Sequence, residues 1–216
     1  MGRRQERDWL RGVAAGVIGG LAASWVMNVF IAEAGPGLTH AVQSEAQNRK
    51  DEQATPSTEP KIDATMKTAD AVVHLVTGGQ HLSVAEMQKD GPVVHYAFGA
   101  LMGALYGVLA ESSEVVTTGF GTGFGAALFI GADVVAVPML NLSGAATDGP
   151  VGALATPLAA HLVYGATTEL VRRMVRRMLS AADSMRVQAQ YGTRHGIRRF
   201  RRDERAQRSA EPLPRL

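Results

Sequence analysis

Apolar residues along this chain gather into four runs, at roughly 12–32, 92–110, 117–142 and 150–171, separated by stretches dense in charge. Gly and Ala fill these runs more than Leu and Ile do. A hydrocarbon core about 30 Å thick takes about 20 helical residues to cross, and each run meets that length. The pattern predicts an all-α polytopic membrane protein: a four-transmembrane-helix bundle with amphipathic helices at its surfaces. Helices buried in a large soluble core are the competing reading. A mean hydropathy near zero and 19% charged residues look soluble at first. That average hides segregation, because the charges lie mostly between and beyond the runs.

The flanks orient the runs. Arg3, Arg4, Arg7 and Arg11 precede the first, with Trp9 as an interfacial anchor, and Arg172, Arg173, Arg176 and Arg177 follow the fourth. Basic residues stay on the cytoplasmic side. Residues 1–11 are therefore expected inside, 12–32 as the first crossing, 33–91 as an external loop, and 92–177 as three further crossings ending in a basic stop. Local charge agrees: residues 33–91 carry five basic and nine acidic groups, residues 172–216 thirteen and four. The 111–118 loop fits least well, since it is expected inside yet holds no Lys or Arg. Ala32-Glu33-Ala34 has the form of a signal-peptide cleavage site, but the run before it is longer than a usual signal core and is read as retained.

Outside the runs, residues 35–58 are polar with no apolar period and read as a mobile linker. Ile62, Met66, Ala69, Val73 and Val76 predict an amphipathic helix over about 60–77, with Pro60 in its first turn and Gly78-Gly79 as its stop. Ser83 and Glu86 offer a capping box ahead of a short helix that Gly91-Pro92 is expected to end. Past the fourth run, Met174, Met178, Ala182 and Met185 keep an apolar face, so residues 178–216 read as a helix followed by a disordered Arg-rich tail. A basic residue beside an anionic leaflet contributes about 1 kcal/mol. This makes a bilayer with an anionic inner leaflet the expected partner of Arg172, Arg173, Arg176 and Arg177. The tail's arginines come with little aromatic content and no fold around them, so no nucleic acid is expected.

The glycines carry a second signal. Gly12, Gly16, Gly20 and Ser24 recur every four residues, as do Gly99, Gly103 and Gly107, and the third run holds Gly119, Gly121, Gly123 and Gly125. In lipid, apolar surface gives no drive for helix association, and small residues let backbones approach instead. Packing within the chain is one outcome, and a homodimer through the first stripe is the other. A short internal echo accompanies the stripes: His95…Gly99 resembles His161…Gly165, and Tyr106-Gly107…Glu111 resembles Tyr164-Gly165…Glu169.

Candidate chemistry is sparse. The chain has no cysteine, which excludes disulfides, thiolate metal sites and cysteine nucleophiles. Ionisable groups at membrane depth are costly and mark candidate sites. Asp133, His161, His95 and Asn28 fall one per run towards the expected outer half. Either they lock helix register, or Asp133 and His161 form a proton-responsive pair, since histidine changes charge between about pH 5 and 8. Glu111 and Glu169 sit at the inner ends, where Glu169 meets Arg172 and Arg173 at helical spacing. Haem ligation by His95 and His161 is disfavoured by depths differing by roughly 10 Å. His74 and His81 are separated by the Gly78-Gly79 break, which argues against a metal, and GFGTGFG lacks the Lys-Ser/Thr of a phosphate loop. Ser24, Ser143 and Thr156 are hydroxyls without an activating arrangement. No catalytic residue, metal or cofactor is expected, and the chain is not expected to be an enzyme. A proton-responsive membrane protein is the leading reading, and a small transporter or channel subunit the alternative.

The order of a Gly-rich helix, a polar external stretch, His95…Gly99…Tyr106-Gly107…Glu111, a Gly-rich run with Pro138, and His161…Tyr164-Gly165…Glu169…Arg172-Arg173 resembles the YagU-like family of bacterial inner-membrane proteins. The resemblance covers residues 12–177 in layout and implies a multi-pass protein of the bacterial cell membrane, without an assigned reaction.

Overall fold

A computed structural model describes residues 2–45, 48, 62–142 and 154–210, and every regular element among them is helical. In chain order these are α1 (Gly2–Glu33), α2 (Gly35–Val42), α3 (Ala64–Thr77), α4 (Val84–Ser112), a 3-10 segment (Glu114–Gly121), α5 (Thr122–Phe129), a π-helical stretch (Ile130–Ala136), α6 (Val137–Met139) and α7 (Ala155–Ala210). Three stretches are long and apolar enough to cross a membrane: Asp8–Glu33, Val84–Ser112 and the composite Glu114–Met139. The fourth apolar run begins outside the described residues and continues into α7, which is not among the three. His161, Glu169 and the arginines from Arg172 onward dilute its apolar character. The chain divides into two compact units, 1–174 and 175–216.

Local chemistry sets several boundaries. Ser83 caps α4: its Oγ accepts from Glu86 N–H at 3.4 Å, and Glu86 Oε2 accepts from Ser83 N–H at 2.8 Å. The helix does not stop at Gly91-Pro92 as expected but runs on as one 29-residue element. Proline removes one backbone donor and crowds the carbonyl four residues back. The usual clash with the preceding residue's Cβ is absent here, because that residue is Gly91. Gly91 is also where α3 packs, as a Cβ there would lie 3.0 Å from Met66 Cγ. Helix α3 starts later than expected, at Ala64, because Asp63 caps it by accepting from Met66 N–H at 2.9 Å. Pro60 lies outside the described residues. Gly78, in the left-handed region at φ 73°, ends the helix.

Two stretches expected to be irregular are helical. Gly35–Val42, read as linker, forms α2. It is held by tertiary bonds that no local period reveals, with Thr39 Oγ1 and Thr156 Oγ1 2.8 Å apart and Thr156 Oγ1 donating to Gly35 O at 3.1 Å. The rest of that linker is mostly outside the described residues. Likewise α7 extends to Ala210, through the segment expected to be disordered. Arg, Ala and Gln are good helix formers, and Gly192 and Gly196 do not interrupt them.

The third apolar stretch, expected as one helix, is instead composite. Its entry turns through Gly119, Phe120 and Gly121 at φ 67°, 57° and 82°. Its exit holds the π stretch, where Val137 N–H reaches Ala132 O, five residues back. Pro138 follows directly, and its missing N–H and bulky ring disrupt the regular α ladder there. Asn141, at φ 58°, closes the element: Leu142 N–H bonds Val137 O and Asn141 N–H bonds Pro138 O, both at 3.0 Å.

Glycine contacts fix how the elements meet. A Cβ on Gly16 would lie 3.1 Å from Gly107 Cα, one on Gly20 3.0 Å from Gly103 Cα, and one on Gly12 2.9 Å from Gly107 O. Rising numbers on α1 meet falling numbers on α4, so the two helices are antiparallel. This fills the α1 stripe from within the chain. Gly121 and Gly125 meet Gly165 and His161 in the same antiparallel sense, and Gly19 meets Thr168, so α7 packs on both α5 and α1. Ala23, Met27, Ala160 and Tyr164 form the buried core, flanked by Met102, Phe124 and Leu128.

Asp70 clasps the α3–α4 turn. Its Oδ1 accepts from Leu82 N–H at 2.6 Å, and its Oδ2 lies 2.9 Å from His81 Nδ1, whose ring stacks on His74 at 4.4 Å. The His81 hydrogen bond, then the Leu82 N–H, hold the Asp70 carboxyl below its usual range. A carboxyl depressed on folding contributes stability above its unfolded-state value and loses it as pH falls through the folded one. Amides of residues 78–83 should therefore lose hydrogen-exchange protection on acidification in that window. In Asp70→Asn they should be weakly protected at every pH; full protection in that variant would remove the clasp.

Candidate functional site

Two polar clusters lie within the first unit, and they differ in how completely their atoms are used. The first centres on Glu169, which is 0% exposed. Helix α7 turns Arg172 and Arg173 onto the same face, three and four residues on. Arg172 Nε donates to Glu169 Oε2 at 2.7 Å and Arg172 Nη2 to Oε1 at 3.1 Å, while Arg173 Nε also donates to Oε1. From α4, Tyr106 O–H donates to Oε2 at 2.9 Å. Arg172 Nη1 then reaches Glu111 Oε1 at 3.5 Å. Phe120, placed by the left-handed turn, lies under the Arg173 guanidinium at 4.9 Å.

A carboxylate offers about four acceptor sites, and Glu169 receives four donors. It has no free lone pair for a substrate proton. Two carboxylates and two guanidiniums also make the cluster neutral overall. Such an arrangement ties α4, the 3-10 segment and α7 together. Glu111 and Glu169 therefore belong to one packed network, joined through Arg172. Arg172 and Arg173, expected to meet lipid, are engaged by Glu169, with Arg172 buried. Arg176 and Arg177 lie beyond Met174, in the second unit.

The second cluster is looser. Asp133 sits in the π stretch, and its Oδ2 is 3.8 Å from His161 Nδ1. That separation exceeds a hydrogen bond. The same Nδ1 lies 2.9 Å from Pro157 O, and because a carbonyl only accepts, Nδ1 carries the proton. Phe129 packs against the ring at 5.6 Å between centroids. Of the four polar groups expected to converge, Asp133 and His161 are brought together. No hydrogen bond joins His95 or Asn28 to them among the described residues: Asn28 is exposed on α1, and His95 Nε2 is buried and unpartnered. Equal depth does not fix which way a helix face points, and that is why the wider convergence fails.

Tyr106 is the participant that sequence reasoning did not single out as a site residue. Its signal was the Tyr-Gly-x-x-x-Glu echo, which places a tyrosine and a carboxylate in each of α4 and α7. The structure pairs them across the copies, Tyr106 with Glu169, while Tyr164 O–H donates to Gly99 O at 2.6 Å. Among the described residues no group of three or more His, Cys, Asp or Glu is arranged to hold a metal.

Fold and clusters together define a helical protein with three helices apolar enough to cross a membrane and a buried ionic network at one end. The chain belongs to DUF1440, a family described as protein of unknown function, whose model matches residues 63–170. That window starts at the Asp63 cap and ends beside Glu169, so it takes in α3, α4 and the third apolar stretch but not α1 or Arg172. No curated protein and no solved structure matches the chain.

Proposed function

We propose that this chain is a non-enzymatic inner-membrane protein of YagU-like, bacterial type, crossing four times with both termini cytoplasmic, and that Asp133–His161 is its proton-responsive element. The antiparallel alternation of α1, α4, the third crossing and α7 supports the four-crossing reading, as do the arginine clusters before α1 and at Arg172–Arg177. The basic stretch of α7 beyond Met174 faces an anionic inner leaflet in this arrangement.

One observation carries the proton-responsive part. Glu169 is saturated, whereas Asp133 stands 3.8 Å from His161 with no hydrogen bond to it. Protonating His161 adds a charge that this carboxylate attracts. In nanodiscs, the His161 ring and the backbone amides around Asp133 should respond together to a change of pH, and that joint response should be lost in Asp133→Asn. A ring that stays neutral from pH 4 to pH 8 and ignores the substitution would sink the reading. Proton-dependent solute flux in proteoliposomes would instead favour the transporter alternative.

A further inference from the structure

Beyond the Asp133–His161 pair, and independently of it, the α1–α4 crossing holds two buried polar atoms without partners among the described residues: Ser24 Oγ and His95 Nε2. The register places them together. Gly12 meets Gly107, Gly16 meets Gly103 and Gly20 meets Gly99, so each four-residue step along α1 is a four-residue step back along α4. Continued by one more such step, the register brings Ser24, which already lies against Gly99, to the level of His95. Ser24 is 1% exposed, and its hydroxyl points at α4, where a Cβ on Gly99 would strike it.

Its orientation is unusual for a helical hydroxyl. Thr168, Ser112, Ser180 and Ser184 all donate to the carbonyl four residues earlier, the common solution for serine and threonine in a helix. Ser24 forgoes that bond and turns towards the neighbouring helix. Nearby, the Gly99 carbonyl already accepts from Tyr164 O–H, which strengthens the crossing without serving Ser24 or His95. A hydroxyl that can donate or accept therefore opposes an imidazole nitrogen that donates in one tautomer and accepts in the other. Buried polar atoms of this kind are met by a molecule making two or more hydrogen bonds.

We propose that Ser24 and His95 form a binding site for one water molecule that bridges Ser24 Oγ and His95 Nε2 within the α1–α4 crossing. Water is the occupant that matches both atoms in either tautomer, because it both donates and accepts. The full chain, labelled with nitrogen-15 at histidine and placed in nanodiscs of phosphatidylcholine and phosphatidylglycerol, provides the test. Cross-relaxation from water to the His95 imidazole is expected in the unsubstituted protein and should be lost in Ser24→Ala, with the α1 and α4 amide spectrum otherwise kept. A dry His95 ring, or a direct Ser24–His95 hydrogen bond, overturns the proposal, and the unsubstituted protein alone decides both. Water contact that persists unchanged in a folded Ser24→Ala protein also overturns it, because Ser24 would then not be a partner.

Discussion

A Gly103→Leu protein is expected to lose the α1–α4 crossing and unfold at a much lower temperature in detergent. A Cβ at this position falls 2.7 Å from Gly20 Cα and 2.8 Å from Gly20 N. Both are backbone atoms, so no rotamer change relieves the clash and one helix must move away from the other. Overpacking typically costs about 1–3 kcal/mol, and leucine here should meet or exceed the top of that range. The loss is also not local. Contacts at Gly12, Gly16 and Gly20 depend on the same close approach, and dispersion falls steeply with separation. Gly123→Leu is the matched control, since nothing lies within 4 Å of its Cβ; its thermal midpoint should stay near that of the unsubstituted protein. Equal midpoints for the two variants would show that the crossing does not depend on Gly103.

Glu169→Ala should be about as damaging, for an electrostatic reason. Removing one partner of a buried ion pair costs about 3–5 kcal/mol, because the other charge stays buried without compensation. Here two guanidiniums and the Tyr106 hydroxyl lose their acceptor together, while Arg172 keeps Glu111 at 3.5 Å. Glu169→Gln keeps an acceptor for Tyr106 and should recover part of the loss. Adding Arg172→Ala to Glu169→Ala should destabilise less than the sum of the two single changes, since each single change strands a charge that the double removes. A double-mutant cycle on thermal stability measures this coupling, and strict additivity would falsify the network.

How much of this was legible in the sequence depends on the range of each interaction. The Ser83–Glu86 cap and the Gly78 stop are local, and their residue types name them. Glu169 with Arg172 and Arg173 is visible through helical spacing alone. Its burial is not, because Tyr106 stands 63 residues away and the turn at Phe120 is invisible in hydropathy. Asp133 and His161 could be matched by depth, but depth leaves rotational phase open, and so His95 and Asn28 were grouped with a pair to which no hydrogen bond joins them among the described residues. Pro92 misled for a related reason: a proline signals a break unless the residue before it is small and tertiary packing holds the helix on both sides. Helix α2 shows the same limit from the polar side, since the Thr39–Thr156 bond joins residues 117 apart.

The π stretch at Ile130–Ala136 bears on how such a chain tolerates changes in length. A π turn accommodates one more residue than an α turn. Removing a residue there lets the ladder close towards regular α geometry, while the flanking helices keep their faces. The same deletion within α1 or α4 would rotate everything beyond it by about 100° and pull glycines out of their crossings. Among the described membrane-length helices, the third is thus the one whose length can vary by a residue with its neighbours' packing intact. Single-residue insertions and deletions among relatives should collect just before the proline.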